Sequence, residues 1–178
     1  MGGLTSMSRP QDRAQAAQFY AVVLAVAVWN PAAQQAAAAR RTSLSENARA
    51  FALLNMAISN ALVSVMETKY HYNFWRPETA IRFGDIDGNP KTNPDPSFAP
   101  FIVAPCFPSY PSAHASASYA ALTVLERLFG SGHRSLTLSN PAAPGMVLHY
   151  VKFKDIADDI DDARVLWRHS FPFRPGSG

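Results

Sequence analysis

The chain has 178 residues, 48% hydrophobic and 16% charged, with a formal net charge of +3 and one cysteine, Cys106. That is enough chain for a single domain with its own core, and a lone cysteine excludes an internal disulfide. The basic residues are scattered, with no Lys/Arg run interleaved with aromatics, so nucleic acid is not an expected partner. The apolar run at residues 21–29 is too short to span a bilayer, so no transmembrane segment is expected.

Five helical segments are predicted. Residues 10–29 and 31–40 are Ala-rich and broken at Pro31. Residues 44–75 run without Pro or Gly up to Arg76, with Ser43 or Ser45 as the cap. The stretch 77–111 holds eight prolines, both ends included, and reads as a long ordered loop. A helix over 112–129 follows, stopped by Gly130, and then a Gly/Pro/Ser-rich loop over 131–150. The last helix starts near Lys152 and includes Arg164. No strand pattern is longer than a few residues, and the fold class expected is all-α.

Two segments carry chemistry. Lys69 and Arg76 lie seven residues apart, so a helix continuing to Arg76 would present both on one face. Ser112 and His114 stand at the start of the 112–129 helix, where backbone N–H groups lack partners within the helix. Two fixed cations, a hydroxyl, the Ala113 N–H and an imidazole together suit a tetrahedral oxyanion. Arg76 offers a planar fork for two oxygens, and His114 can exchange a proton near neutrality. Taken singly, Lys69 is an ordinary solvated helix residue, Arg76 a helix-end cation and Ser112 an N-cap; the joint pattern reverses that reading. His71, His133 and His149 lack metal-ligand spacing. Asp85, Asp87 and Asn89 read as a turn, because a calcium loop would place Pro96 at its twelfth position. Asp158, Asp159, Asp161 and Asp162 read as a solvated helix face.

The stretches Lys69-Tyr-His-Tyr-Asn-Phe-Trp-Arg-Pro77 and Phe107-Pro-Ser-Tyr-Pro-Ser-Ala-His-Ala115 resemble the vanadium-dependent haloperoxidases, whose superfamily also holds the type 2 phosphatidic acid phosphatases. The family pattern is Lys-x6-Arg-Pro, then Pro-Ser-Gly-His, then Ser-Arg-x5-His. The first two blocks match, with Ala113 in place of Gly. The resemblance implies a helical bundle of the haloperoxidase and acid phosphatase type, with vanadate held by Lys69, Arg76, Ser112, the Ala113 N–H and Arg164. It also implies His114 as general acid/base, and hydrogen peroxide, a halide and an organic acceptor as small-molecule partners. The same pocket in the phosphatases binds a phosphoryl group, so phosphomonoester hydrolysis is the alternative activity, and an inactive oxyanion-binding remnant is a third reading.

The third block departs from the pattern. Ala163-Arg164 supplies its Arg, but the His expected at position 170 is Ser170, and His169 stands one place early, about 100° round a helix. In the family that His binds vanadium, so His169 is the candidate metal ligand out of register. A one-base shift near the Leu166 codon would restore the spacing, and residues 167–178 read as a frameshifted tail. Family members carry a longer helical region before the Lys motif. The chain therefore reads as one partial helical domain over 1–178, whose exposed apolar faces favour homo-oligomers.

Overall fold

The computed structural model of the chain describes residues 3–4, 10–133 and 135–166. Its elements are α1 (Gln11–Val22), α2 (Ala25–Arg40), α3 (Leu44–Tyr72), α4 (Pro77–Arg82), α5 (Ala113–Phe129), β1 (Leu136–Ser139), β2 (Val147–Tyr150) and α6 (Phe153–Leu166). The all-α expectation holds for the bundle, with one short hairpin added.

Helix α5 is the centre: it packs against α2, α3 and α6. Its inward side is built from small residues, with Ala117, Ser118 and Ala121 buried beside Leu122, Leu125 and Phe129. Small side chains let neighbouring helices approach closely, and the gap is filled from the other side by Trp29, Leu54, Ile58 and Ile156, all essentially inaccessible. Trp29 donates its indole N–H to Ser118 Oγ at 3.2 Å, so the one polar side chain in this contact is satisfied.

Helix α3 begins at Ser43 in a reciprocal cap. Ser43 Oγ accepts from the Glu46 N–H at 3.3 Å, and Glu46 Oε2 accepts from the Ser43 N–H at 2.8 Å. It runs 29 residues and stops at Tyr72, because Asn73 adopts the left-handed conformation (φ 44°) and returns its N–H to Lys69 O at 2.8 Å. By length and composition alone, the Leu44–Arg82 stretch is long and apolar enough to cross a membrane, and only 22% of its most apolar window is buried; α1 and α2, which contain the 21–29 run, are so only if the bent pair is taken as one span. Leu53, Met56 and Val63 are among its exposed apolar side chains.

Four expectations need correction. Pro31 does not break the second helical region; it sits inside α2, and the break comes earlier, at Val23 and Leu24, where the chain bends by 106°. The burial of Trp29, Ala32, Ala33 and Ala36 offsets the hydrogen bond Pro31 cannot make, and Asn30 Nδ2 donates to Val26 O beside the gap at 3.0 Å. The third helical region ends at Tyr72 rather than 75. Pro77 starts a short helix where a loop was expected: it is the first residue of α4, where a missing N–H costs nothing, and Glu78–Arg82 braces that short turn at 2.9 Å. Finally, the 131–150 loop contains the antiparallel pair β1–β2, with Leu136 opposite Tyr150 and Ser139 opposite Val147. Leu136 and Leu138 face the core, and Gln35 mimics a neighbouring strand, accepting from the Thr137 N–H at 2.9 Å and donating to Thr137 O at 2.8 Å. Removing the cap with S43A should lower unfolding stability by about 1 kcal/mol, read as a lower denaturant midpoint with an unchanged slope.

Candidate functional site

The local geometry around Lys69 follows from where α3 stops. Arg76 is not on α3. The turn at Asn73 and the extended residues 74–76 carry it round, and Arg76 is the N-cap of α4 with φ −82° and ψ 151°. The shared helix face expected for Lys69 and Arg76 is therefore replaced by a reversal that brings the two side chains to the same strip of backbone. Lys69 Nζ donates to Pro108 O at 2.7 Å and to Ser109 O at 2.9 Å. Arg76 Nε donates to Phe107 O at 2.8 Å. Both cations also lie over the Phe107 ring, 5.1 Å and 5.0 Å from its centroid.

The 107–111 segment then leads directly into α5. Ser112 is its N-cap, with Oγ accepting from the Ala115 N–H at 3.3 Å, which leaves the hydroxyl hydrogen able to donate to a second partner. Ala113 is the first helical residue, and its N–H belongs to the turn whose amides have no acceptor within the helix. His114 follows it. Arg164 arrives from α6, and its Nη2 donates to Tyr20 O at 3.2 Å.

These residues meet. Lys69, Arg76, Ser112, Ala113, His114 and Arg164 all line one small, half-open cavity of about 30 Å³, completed by Pro105, Phe107 and Ser109. Among the described residues, no carboxylate lines it. Of the sequence candidates, His169 lies outside the described residues, as does the proposed frameshifted tail at 167–178.

The electrostatics are those of like charges held together. Lys69 is 1% exposed, and burial, then Arg76 and Arg164, push its ammonium down to about 8. Burial, then Arg76, lowers Arg164 to about 10, and burial lowers Arg76. The backbone carbonyls solvate these cations without neutralising them, and with no carboxylate among the described lining residues the cavity carries a positive field that an anion would relieve. A tetrahedral oxyanion such as vanadate fits this donor set: three cations, a hydroxyl and a helix N-terminus.

Sequence reasoning missed the acceptors. The Phe107, Pro108, Ser109 and Tyr20 carbonyls carry no side-chain signal. Phe107 stood within the matched stretch, but its role as a floor under two cations is visible only in three dimensions.

A family model described as the VCPO second helical-bundle domain matches residues 49–173. The chain belongs to this vanadium haloperoxidase family. Vanadium chloroperoxidase of Curvularia inaequalis is 34% identical over 92 residues, which is 46% of this chain and 14% of that protein. The crystal structure titled as the first bacterial vanadium-dependent iodoperoxidase superposes with a TM-score of 0.75 at 26% identity, covering 89% of this chain and 38% of that one. The chain thus spans less than half the length of either relative.

The depressed Lys69 gives a signed prediction. Its folded form binds fewer protons than the unfolded chain above pH 8, so without anions stability should rise from pH 8 toward pH 10. Saturating sulfate, which does not titrate there, should flatten that rise, because an anion in the cavity restores the lysine's charge. Denaturation melts at stepped pH with and without sulfate would check both.

Proposed function

We propose that this domain is the vanadate-binding, halide-oxidising part of a haloperoxidase, consuming hydrogen peroxide, halide and a proton to give hypohalous acid and water, with an organic acceptor taking the halogen. The observation that supports this most is the convergence of Lys69, Arg76 and Arg164 on one small cavity at the N-terminus of α5. Membership of the vanadium haloperoxidase family points the same way.

In this reading Lys69, Arg76, Arg164, Ser112 and the Ala113 N–H hold the vanadate oxygens, and vanadate supplies a Lewis-acidic centre that activates peroxide. The protein's own contribution is charge and proton placement. Lys69 and Arg76 are fixed before any anion arrives, because their donors are already oriented by the 107–109 carbonyls, so little ordering remains to be done on binding. Lys69, with its lowered ammonium, contributes most below pH 8 and less above it. His114, on the first turn of α5 and lining the same cavity, delivers the proton that the reaction consumes. His169 is the residue that would supply the imidazole ligand to vanadium if the chain beyond Leu166 can bring it back into register.

Phosphomonoester hydrolysis remains the rival activity, since a phosphoryl group presents the same tetrahedral oxygens to the same cations. Calorimetric titration of the chain with orthovanadate, paired with bromide/peroxide and p-nitrophenyl phosphate assays on the same sample, separates the readings. Binding with bromide oxidation is the expected result. R76A should weaken orthovanadate at least about tenfold, equivalent to ~1.4 kcal/mol. H114A should retain binding and lose turnover. Phosphate ester hydrolysis without bromide oxidation would replace the proposal with the phosphatase reading, and binding without either turnover would leave an oxyanion-binding remnant.

A further inference from the structure

Arg164 is held from behind by a helix that the family pattern does not include. Its Nη2 donates to Tyr20 O at 3.2 Å. That carbonyl is available because α1 ends at Val22 and the chain turns at Val23–Leu24, leaving the last carbonyls of α1 without following helical N–H groups. No basic residue lies in the last turn of α1, so Arg164 supplies from α6 the positive charge a helix C-terminus favours.

Tyr20 is fixed at its other end as well. Its hydroxyl lies 2.6 Å from that of Tyr150 on β2, and Tyr150 donates to Asp159 Oδ2 at 2.5 Å. Because Tyr150 has one proton and spends it on the carboxylate, Tyr20 must be the donor to Tyr150. Asp159 is held in turn by Arg13 at 2.8 Å. The result is a directed chain from α1 through β2 to α6. Asp159 and Arg164 are five residues apart on α6, and Arg13 and Tyr20 seven apart on α1, so the two helices are pinned at two levels with Tyr150 as the bridge. Tyr20 is 1% exposed and cannot be held by solvent instead.

We propose that Tyr150 and Tyr20 are positioning residues for Arg164: they tie α1 to α6 through Asp159 and so fix the carbonyl that aims the guanidinium at the oxyanion. The inference rests on the vanadate-site reading. It differs from a general packing role in one respect, that its effect on oxyanion binding passes through Arg164 alone.

A double-mutant cycle on the full chain, read as the calorimetric Kd for orthovanadate, tests this. Y150F should weaken binding by about fivefold to tenfold, R164A by more, and the double variant no more than R164A, since contacts acting through one residue are non-additive. Y119F removes a different hydrogen bond to α6, from Tyr119 to Asp158, and should leave Kd unchanged. Y20F, which deletes the hydroxyl but keeps the carbonyl, runs the same cycle should Y150F not fold. Equal losses from Y150F in the wild-type and R164A backgrounds, or no loss at all, overturn the positioning role while leaving the oxyanion site standing. An R164A chain that binds like wild type, or a wild-type chain that binds no orthovanadate, overturns the site assignment and this inference with it.

Discussion

The site depends on one arrangement: among the described residues, buried cations are held by backbone carbonyls and no carboxylate lines their cavity. An ion pair would satisfy Lys69 and Arg76 more strongly in the absence of ligand, but it would cancel the field that an oxyanion needs. Carbonyls from Phe107, Pro108 and Ser109 solve both problems, since each accepts a hydrogen bond and none brings a net charge. The cost appears in the protonation equilibria, with Lys69 pushed down to about 8 and Arg164 to about 10. Such displacement is tolerable where the rest of the fold holds the groups in place, and an anion in the cavity would relieve it.

The scaffold is organised around that requirement. The strip of carbonyls is one end of the segment that becomes α5, so the cations and the helix N-terminus are placed by the same stretch of chain. Helix α5 is in turn fixed by α2, α3 and α6, through a face of small residues that admits close packing. The stop at Asn73 matters as much as the helix before it. Had α3 continued to Arg76, the guanidinium would sit two turns along from Lys69 rather than beside the same carbonyls.

How much of this the sequence disclosed follows the physics of each part. Lys69, Ser112 and His114 could be placed on helices from sequence because helix starts are written locally, in Ser43 for α3 and in Ser112 for α5. Arg76 was expected beside Lys69 on a shared helix face, and the structure brings the two together by a different geometry: nothing in residues 73–75 signals a left-handed asparagine, since Asn favours that conformation without requiring it. The hairpin escaped because four-residue strands show too little alternation to separate from a loop, and its edge is completed by Gln35, a hundred residues away in sequence. Helix α4 was hidden by the proline density of its neighbours. Pro31 misled because burial of the surrounding alanines and Trp29 outweighs a single lost bond. The carbonyls of 107–109 and of Tyr20 could not have been found at all, since every residue has one and only the fold chooses which are used.

Ala113 shows how far a departure from a motif can be read once the backbone is known. The family pattern has glycine there, which raises the question of whether a Cβ is excluded or a left-handed backbone required. Neither holds in this chain: Ala113 is the first residue of α5, and the only non-glycine residues with positive φ among those described are Arg41 and Asn73. A helical alanine presents the same N–H as a helical glycine and loses less conformational entropy on folding, so the substitution leaves the donor in place and favours the helix that carries it. Arg164 poses the opposite case, a residue that matches the pattern but is aimed by a contact outside it. Its orientation depends on the α1 carbonyl at Tyr20, so the same motif on a chain lacking that helix would keep the charge and lose its direction. A matching motif therefore guarantees the chemistry of a group, and the elements packed behind it decide where that chemistry is delivered.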